Sequence, residues 1–115
     1  MREERDRLMV PAELARVGRA RHYIAWRAAV AGLRGNDLHD LAVAAEAVLT
    51  DILLSGEGGE LEITAEEEAG SLYVCISHAE LSERRMRDLP RLLDHYLDGY
   101  ELSPTSATLT KRILR

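Results

Sequence analysis

Two hydrophobic periodicities alternate along the chain, and each change of period marks an element. Leu8-Met-Val10 is a short β-like run stopped by Pro11. Proline suits the first position of a helix, where a missing N–H costs nothing, so the chain is expected to turn helical there. From Ala12 to Leu33, apolar residues at Leu14, Val17, Ile24, Ala28 and Ala31 fall on one stripe, the pattern of an amphipathic helix. Gly32 and the Arg34-Gly35-Asn36 turn end it. Asn36 then caps a second helix running to about Leu54, with Asp37 and Asp40 in the first turn, where the dipole favours anions. Leu41, Ala45, Val48 and Ile52 form its buried stripe; Glu46 and Thr50 point the opposite way, with Asp51 on a flank.

The period then drops to two. Leu61, Ile63 and Ala65 alternate against Glu60, Glu62, Thr64 and Glu66, which predicts a strand with one wet face over Glu60 to Glu67. Ala69-Gly70 turns the chain into a second strand, Ser71 to Ser77, so the two form a hairpin with Glu66-Glu67-Glu68 at its solvated tip. Leu81 to Leu97 is helical again through Met86, Leu89, Leu92, Leu93 and Tyr96. Pro90 lies inside it, so either its first turns are broken or the regular helix starts near Asp88. Tyr100 to Leu102 and Ala107 to Leu114 read as two closing strands. The order β-α-α-β-β-α-β-β predicts an α+β fold: a single mixed or antiparallel sheet with helices packed on one face.

Composition narrows the function classes. At 115 residues the chain is one domain, 1–115, with residues 1–6 expected to be a flexible N-terminus. Its net charge of −5 is unevenly spread. Gly35 to Glu83 holds twelve carboxylates and no Lys or Arg, whereas the remainder holds fifteen basic and eight acidic residues. A chain with so acidic a middle is a poor general nucleic-acid binder, and that middle disfavours polyanions such as nucleotides. No apolar run approaches the ~18 residues that span a bilayer, and the charged N-terminus has no signal-peptide pattern. One cysteine, Cys75, rules out an internal disulfide and a Cys-built metal site, and points to a reducing cytoplasm.

With these pieces in this order, the chain resembles the smallest version of the histidine-kinase-like ATPase fold (the GHKL superfamily), and within it the bacterial anti-sigma factor serine kinases. The resemblance rests on Val10-Pro-Ala-Glu-Leu-Ala-Arg16 before an Arg-rich helix, and on Ala44-Ala-Glu-Ala-Val-Leu-Thr-Asp-Ile-Leu-Leu-Ser-Gly56. It rests also on Arg87-Asp-Leu-Pro-Arg-Leu-Leu93 and Ser106-Ala-Thr-Leu-Thr-Lys-Arg-Ile-Leu114, and covers about Leu8 to Leu114. It implies a module of stress or sporulation signalling, and a homodimer as in the family.

The departures from the family pattern bear on chemistry. The family's helix Glu and an Asn four residues later activate the attacking oxygen and hold Mg²⁺. Matching on Thr-Asp here places Asp51 at the Asn position but Ala47 at the Glu position; matching on Glu46 places Thr50 where Asn belongs. The Asp-x-Gly-x-Gly box after the hairpin is replaced by Ser77-His-Ala-Glu-Leu81, with His78 expected at the surface of the strand end. No Gly lies between His78 and Arg85, where a phosphate-covering lid belongs. At the following Gly-x-Gly-Leu position stand Met86-Arg-Asp-Leu89, so Asp88 replaces a phosphate-cradling Gly. Four losses predict a pseudo-kinase that neither binds nor hydrolyses ATP. It would need no cofactor or metal and would keep only a vestigial pocket at Glu46, Thr50, Asp51, Ser77, Met86 and Asp88.

What remains is surface. Arg16, Arg19, Arg27 and Arg34 fall within about 80° of one another on the first helix, with Tyr23 on that face and Trp26 at its border. Arg, Tyr and Trp together are the composition of binding hot spots, which makes Arg16, Arg19, Tyr23, Trp26 and Arg27 candidate partner-binding residues. A solvated flank with aromatics covering the sheet edge is the plainer alternative. Glu46, Asp51, Glu57, Glu60 and the hairpin make an acidic face suited to a basic partner. His22, His39 and His95 lie on helices, where a phosphotransfer role competes with that of an ordinary polar residue.

The favoured expectation is thus a cytoplasmic, non-catalytic regulator acting by protein contact. Its partner would be a sigma factor, a STAS-domain anti-anti-sigma protein, or a regulatory phosphatase or sensor, with no part for nucleic acid or membrane. The alternatives are an active ATP-dependent serine protein kinase using Glu46 and Asp51, and a small-molecule or phosphorelay module on the same scaffold.

Overall fold

The structure is a computed structural model that describes residues 2–3, 6–54, 59–78 and 83–114, apart from the side chains of 2, 3 and 83–88. A two-residue strand β1 (Arg2–Glu3) precedes β2 (Arg7–Pro11), and a 3₁₀ turn at Leu14–Arg16 leads into α1 (Val17–Ala31). There follow α2 (Gly35–Leu54), β3 (Glu60–Glu68), β4 (Ser71–Ser77), α3 (Glu83–Tyr96), β5 (Gly99–Ser103) and β6 (Ser106–Arg112). The expected α+β order is present. The sheet runs β1-β2-β3-β4-β6-β5, and every neighbouring pair is antiparallel.

One face of the sheet is dry. Leu8, Val10, Leu61, Ile63, Ala65, Leu72, Val74, Ile76, Ala107 and Leu109 all point to it and are buried. Helix α1 lies over β2, β3 and β4, while α2 sits between α1 and α3 and reaches β6. The α2 stripe of Leu41, Ala45, Val48 and Ile52 is buried as its spacing requires. The opposite face carries Arg7, Met9, Glu62, Thr64, Tyr73, Cys75, Ser77, Ser106 and Thr108, in the alternation of a sheet covered on one side only.

Several expectations need correction. Pro11 does not open a helix: it ends β2 opposite Glu60, and the Ala12 N–H carries on to the Gly59 carbonyl at 2.8 Å. Proline is accepted there because, among the described residues, β1 pairs only with Leu8 and Met9, leaving the other edge of Pro11 without a ladder bond to lose. Leu14, in the 3₁₀ turn ahead of the α-helix, is 49% exposed and off the core stripe. Part of the N-terminal segment expected to be flexible pairs with the sheet, Arg2 opposite Met9 and Glu3 opposite Leu8. Helix α2 starts at Gly35, whose φ of +56° suits glycine, one residue before the expected Asn36 cap. Pro90 neither breaks nor delays α3, which runs regularly from Glu83. The last strand stops at Arg112 instead of Leu114.

Candidate functional site

Of the residues expected to outline a vestigial nucleotide pocket, the described ones, Glu46, Thr50, Asp51 and Ser77, do not converge. Glu46, on the side of α2 that meets α1, accepts a hydrogen bond from Arg21 Nη1 to its Oε1 at 3.2 Å, and both side chains are about half exposed. Asp51 stands about 140° further round the helix, half-buried, and Thr50 lies between them in chain order. Ser77 is on the other side of the sheet. It pairs with Glu62 and Ser106 on the outward face, and its Oγ is 3.7 Å from Cys75 Sγ. A whole layer of backbone therefore separates Ser77 from Glu46. The side chains of Met86 and Asp88, residues 79–82 of the segment expected to replace the lid, and Glu57 of the acidic face lie outside the described residues.

His78 is a correction. Expected at the surface, it is 5% exposed. Its N–H donates to the Thr105 carbonyl at 2.9 Å, and its Nε2 faces Gly59, where even an added Cβ would lie only 4.0 Å away. The signal for this was the period of two: Leu72, Val74 and Ile76 point inward, and His78 is next in phase. Outside the sheet, a shallow cleft of about 480 Å³ is lined by Met9, Glu60, Glu62, Cys75, Ser77, His78, Thr105 and Ser106. Arg7 Nη1 lies 3.9 Å from Glu62 Oε2 at its margin. Among the described residues no group of three or more His, Cys, Asp or Glu is placed to hold a metal ion.

The helix α1 surface is also redrawn. Tyr23 is fully buried and belongs to the core, so it is withdrawn from any contact surface. Its ring centroid lies 6.0 Å from that of Trp26, which is itself 43% exposed and rests on this buried aromatic. Arg27 is turned inward, its Nη2 donating to the Ala65 carbonyl of β3 at 2.6 Å, so it ties helix to sheet and is not a free partner contact. Arg16 stands 3.7 Å from Glu13 in the 3₁₀ turn, and Arg19 is half-buried. His22, His39 and His95 are all exposed, and His95 stacks edge-on against Tyr96. The expected hot spot thus divides into anchors, Tyr23 and Arg27, and a surface on which Trp26 stands out.

One buried charge was not foreseen. Lys111 is 7% exposed on the dry face of β6. Its Nζ donates to the Tyr96 carbonyl at 2.9 Å and lies 3.8 Å from both Asp37 Oδ1 and Asp40 Oδ2. A cation at the C-terminal end of α3 beside Asp37 in the first turn of α2, with Asp40 in the next turn, suits both helix dipoles. Among the described residues, no helix is long and apolar enough to cross a membrane. No protein-family model matches the chain, and no curated protein matches it in sequence.

Proposed function

We propose that the chain is a non-catalytic regulatory protein-binding module, allied to the anti-sigma factor serine kinases and acting by protein–protein contact in bacterial sigma-factor or partner-switching signalling. The observation that carries this reading is the dispersal of its chemistry-bearing residues. The carboxylate with the best claim to act as a base, Glu46, is engaged by Arg21 on the helix layer, and Ser77 is on the far side of the sheet. Phosphoryl transfer is almost entirely positioning and charge neutralisation, so groups facing apart give it no purchase. The order of elements supports the kinship, and the exposed Trp26 supports a contact function.

The test is calorimetry with ATP or ADP in the presence of Mg²⁺, alongside a thermal-shift series. No heat and no shift are expected up to millimolar nucleotide. Binding at micromolar affinity would overturn the reading in favour of a working kinase.

A further inference from the structure

Helix α1 exposes apolar residues on its outer side as well as burying them on its inner side. Its inner side is accounted for by Ala20, Tyr23, Ile24 and Ala28, all fully buried. The outward arc carries Ala25, Trp26, Ala29 and Val30, with Trp26 43% and Val30 65% exposed. At about 100° per residue these four fall within one arc of about 140°, which also holds Gly18, the exposed His22 and the half-buried Arg19. A surface helix normally sets charged residues opposite its buried stripe, whereas a helix apolar all round is a buried one. On α1 that side instead exposes Trp26, Ala29 and Val30 beside His22 and Arg19, an apolar patch that the described residues leave uncovered.

Charge identifies what fits there. From Ala12 to Arg34 the sequence contains five Arg and one Glu, a net +4 within a chain of net −5. The helix itself contains Arg19, Arg21 and Arg27 and no acid. Among the described residues, carboxylates that reach its flanks from elsewhere include Glu46, on Arg21, and Glu67, which shares a hollow of about 160 Å³ with Arg27 and Val30. A second copy of α1 laid on this face would bring cation toward cation. An acidic helix would bring carboxylates to the basic flanks while its apolar stripe covered Trp26 and Val30.

From this we infer that the outer face of α1, centred on Trp26, Ala29 and Val30, is the docking surface for an acidic amphipathic helix of a protein partner. The inference deepens the binding-module reading above and rests on it.

The test uses the full chain and a pair of helical peptides of about 21 residues, long enough to run the length of α1. Both present one leucine stripe; one has Glu at every flanking position and the other has Lys. Trp26 is the only tryptophan, so its emission reports this face directly. The acidic peptide should bind with a blue shift of Trp26, weaken as salt is raised, and lose about tenfold or more in affinity on Ala29→Glu or Val30→Glu. Both substituted positions are exposed, and an unchanged melting curve checks that each variant is folded.

Equal binding of the two peptides, binding of neither, or binding indifferent to both substitutions would overturn the proposal. So would a dimer of the chain alone in sedimentation that Ala29→Glu splits, since a second copy would then own the face. Nucleotide binding by the same sample would fail the non-catalytic reading but leave the peptide result standing, so the two failures are distinguishable.

Discussion

Arg27 Nη2 donates to the carbonyl oxygen of Ala65 at 2.6 Å, joining α1 to the middle of β3. A guanidinium spent on a main-chain acceptor is part of the fold, although its residue type and spacing are those of a contact surface. Arg27→Ala leaves the Ala65 oxygen without this donor and should lower stability by about 1–2 kcal/mol, since hydrogen bonds from charged donors are the stronger kind. Urea denaturation checks it: the midpoint should fall at constant slope, while His22→Ala, on the exposed face of the same helix, moves it by less than about 0.5 kcal/mol. Equal midpoints for the two variants would show that the contact contributes nothing.

Lys111 should be worth more. Its ammonium binds the last carbonyl of α3 and faces Asp37 and Asp40 of α2, so three elements meet on one charge. Lys111→Met keeps most of the stem and removes the charge, and should cost about 2–3 kcal/mol. Asp37→Asn and Asp40→Asn should each cost under about 1 kcal/mol, because both carboxylates are roughly one-third exposed and water can replace the lost pair. Denaturation midpoints of the three variants decide the order. If an Asp variant matched Lys111→Met, the ion pair and not the Tyr96 carbonyl would be the main contact.

These two side chains show where the sequence was legible. The periods of 3.6 and 2 located the three described α-helices and the main strands because burial on one face enforces them, as Leu41, Ala45, Val48 and Ile52 show on α2. Local chemistry was less decisive. Pro11 fits a helix start as well as a strand end, and only the partner Glu60 decides between them. The two-residue strand β1 is too short to leave a pattern. Lys111 falls at an inward position of β6 and His78 continues the inward phase one residue past β4, where polarity argued for the surface; phase was the stronger signal, because a buried polar group is tolerated once it is hydrogen-bonded. At the candidate site, the helical wheel located the basic face of α1 but could not separate Tyr23, which packs inward, from Trp26, which stays half in solvent. Nor does the wheel place Ser77 and Glu46 in different layers; that follows from the period of two, which sets Ser77 out of phase with Leu72, Val74 and Ile76.

The β3–β4 turn offers a gain in stability. Ala69 has φ +52° and Gly70 has φ +81°, and both bridge the pair Glu68–Ser71. Two left-handed residues joining antiparallel strands are the geometry in which Asn-Gly is preferred, and an alanine Cβ there is strained. Ala69 is exposed, so no packing is lost on replacement. Ala69→Asn should stabilise the fold by about 0.5–1 kcal/mol, and Ala69→Val should destabilise it. Gly70 should not accept either side chain, because its φ is again left-handed and its carbonyl receives the Ile113 N–H at 2.8 Å. Thermal unfolding of the two Ala69 variants should bracket the parent, and the reverse order would contradict the turn geometry.

Tyr100 links β5 to α3 and gives the fold an alkaline limit. Its hydroxyl donates to the Pro90 carbonyl at 3.4 Å. Burial, then a hydrogen bond to Asp94, then that carboxylate's charge, hold the phenol protonated above its ordinary value of 10.0. A folded-state value raised above the unfolded one means that both states are protonated below about pH 10, so stability is unaffected there. As the pH rises past that point the unfolded chain loses the proton first, and stability falls until the folded phenol ionises as well. Tyr100→Phe has no proton to lose, so the gap between its urea midpoint and that of the parent should change only above about pH 9.5. Absorbance near 295 nm should show the matching difference, one tyrosine titrating later than expected. A constant gap between parent and variant across the alkaline range would remove Tyr100 as the source of the effect.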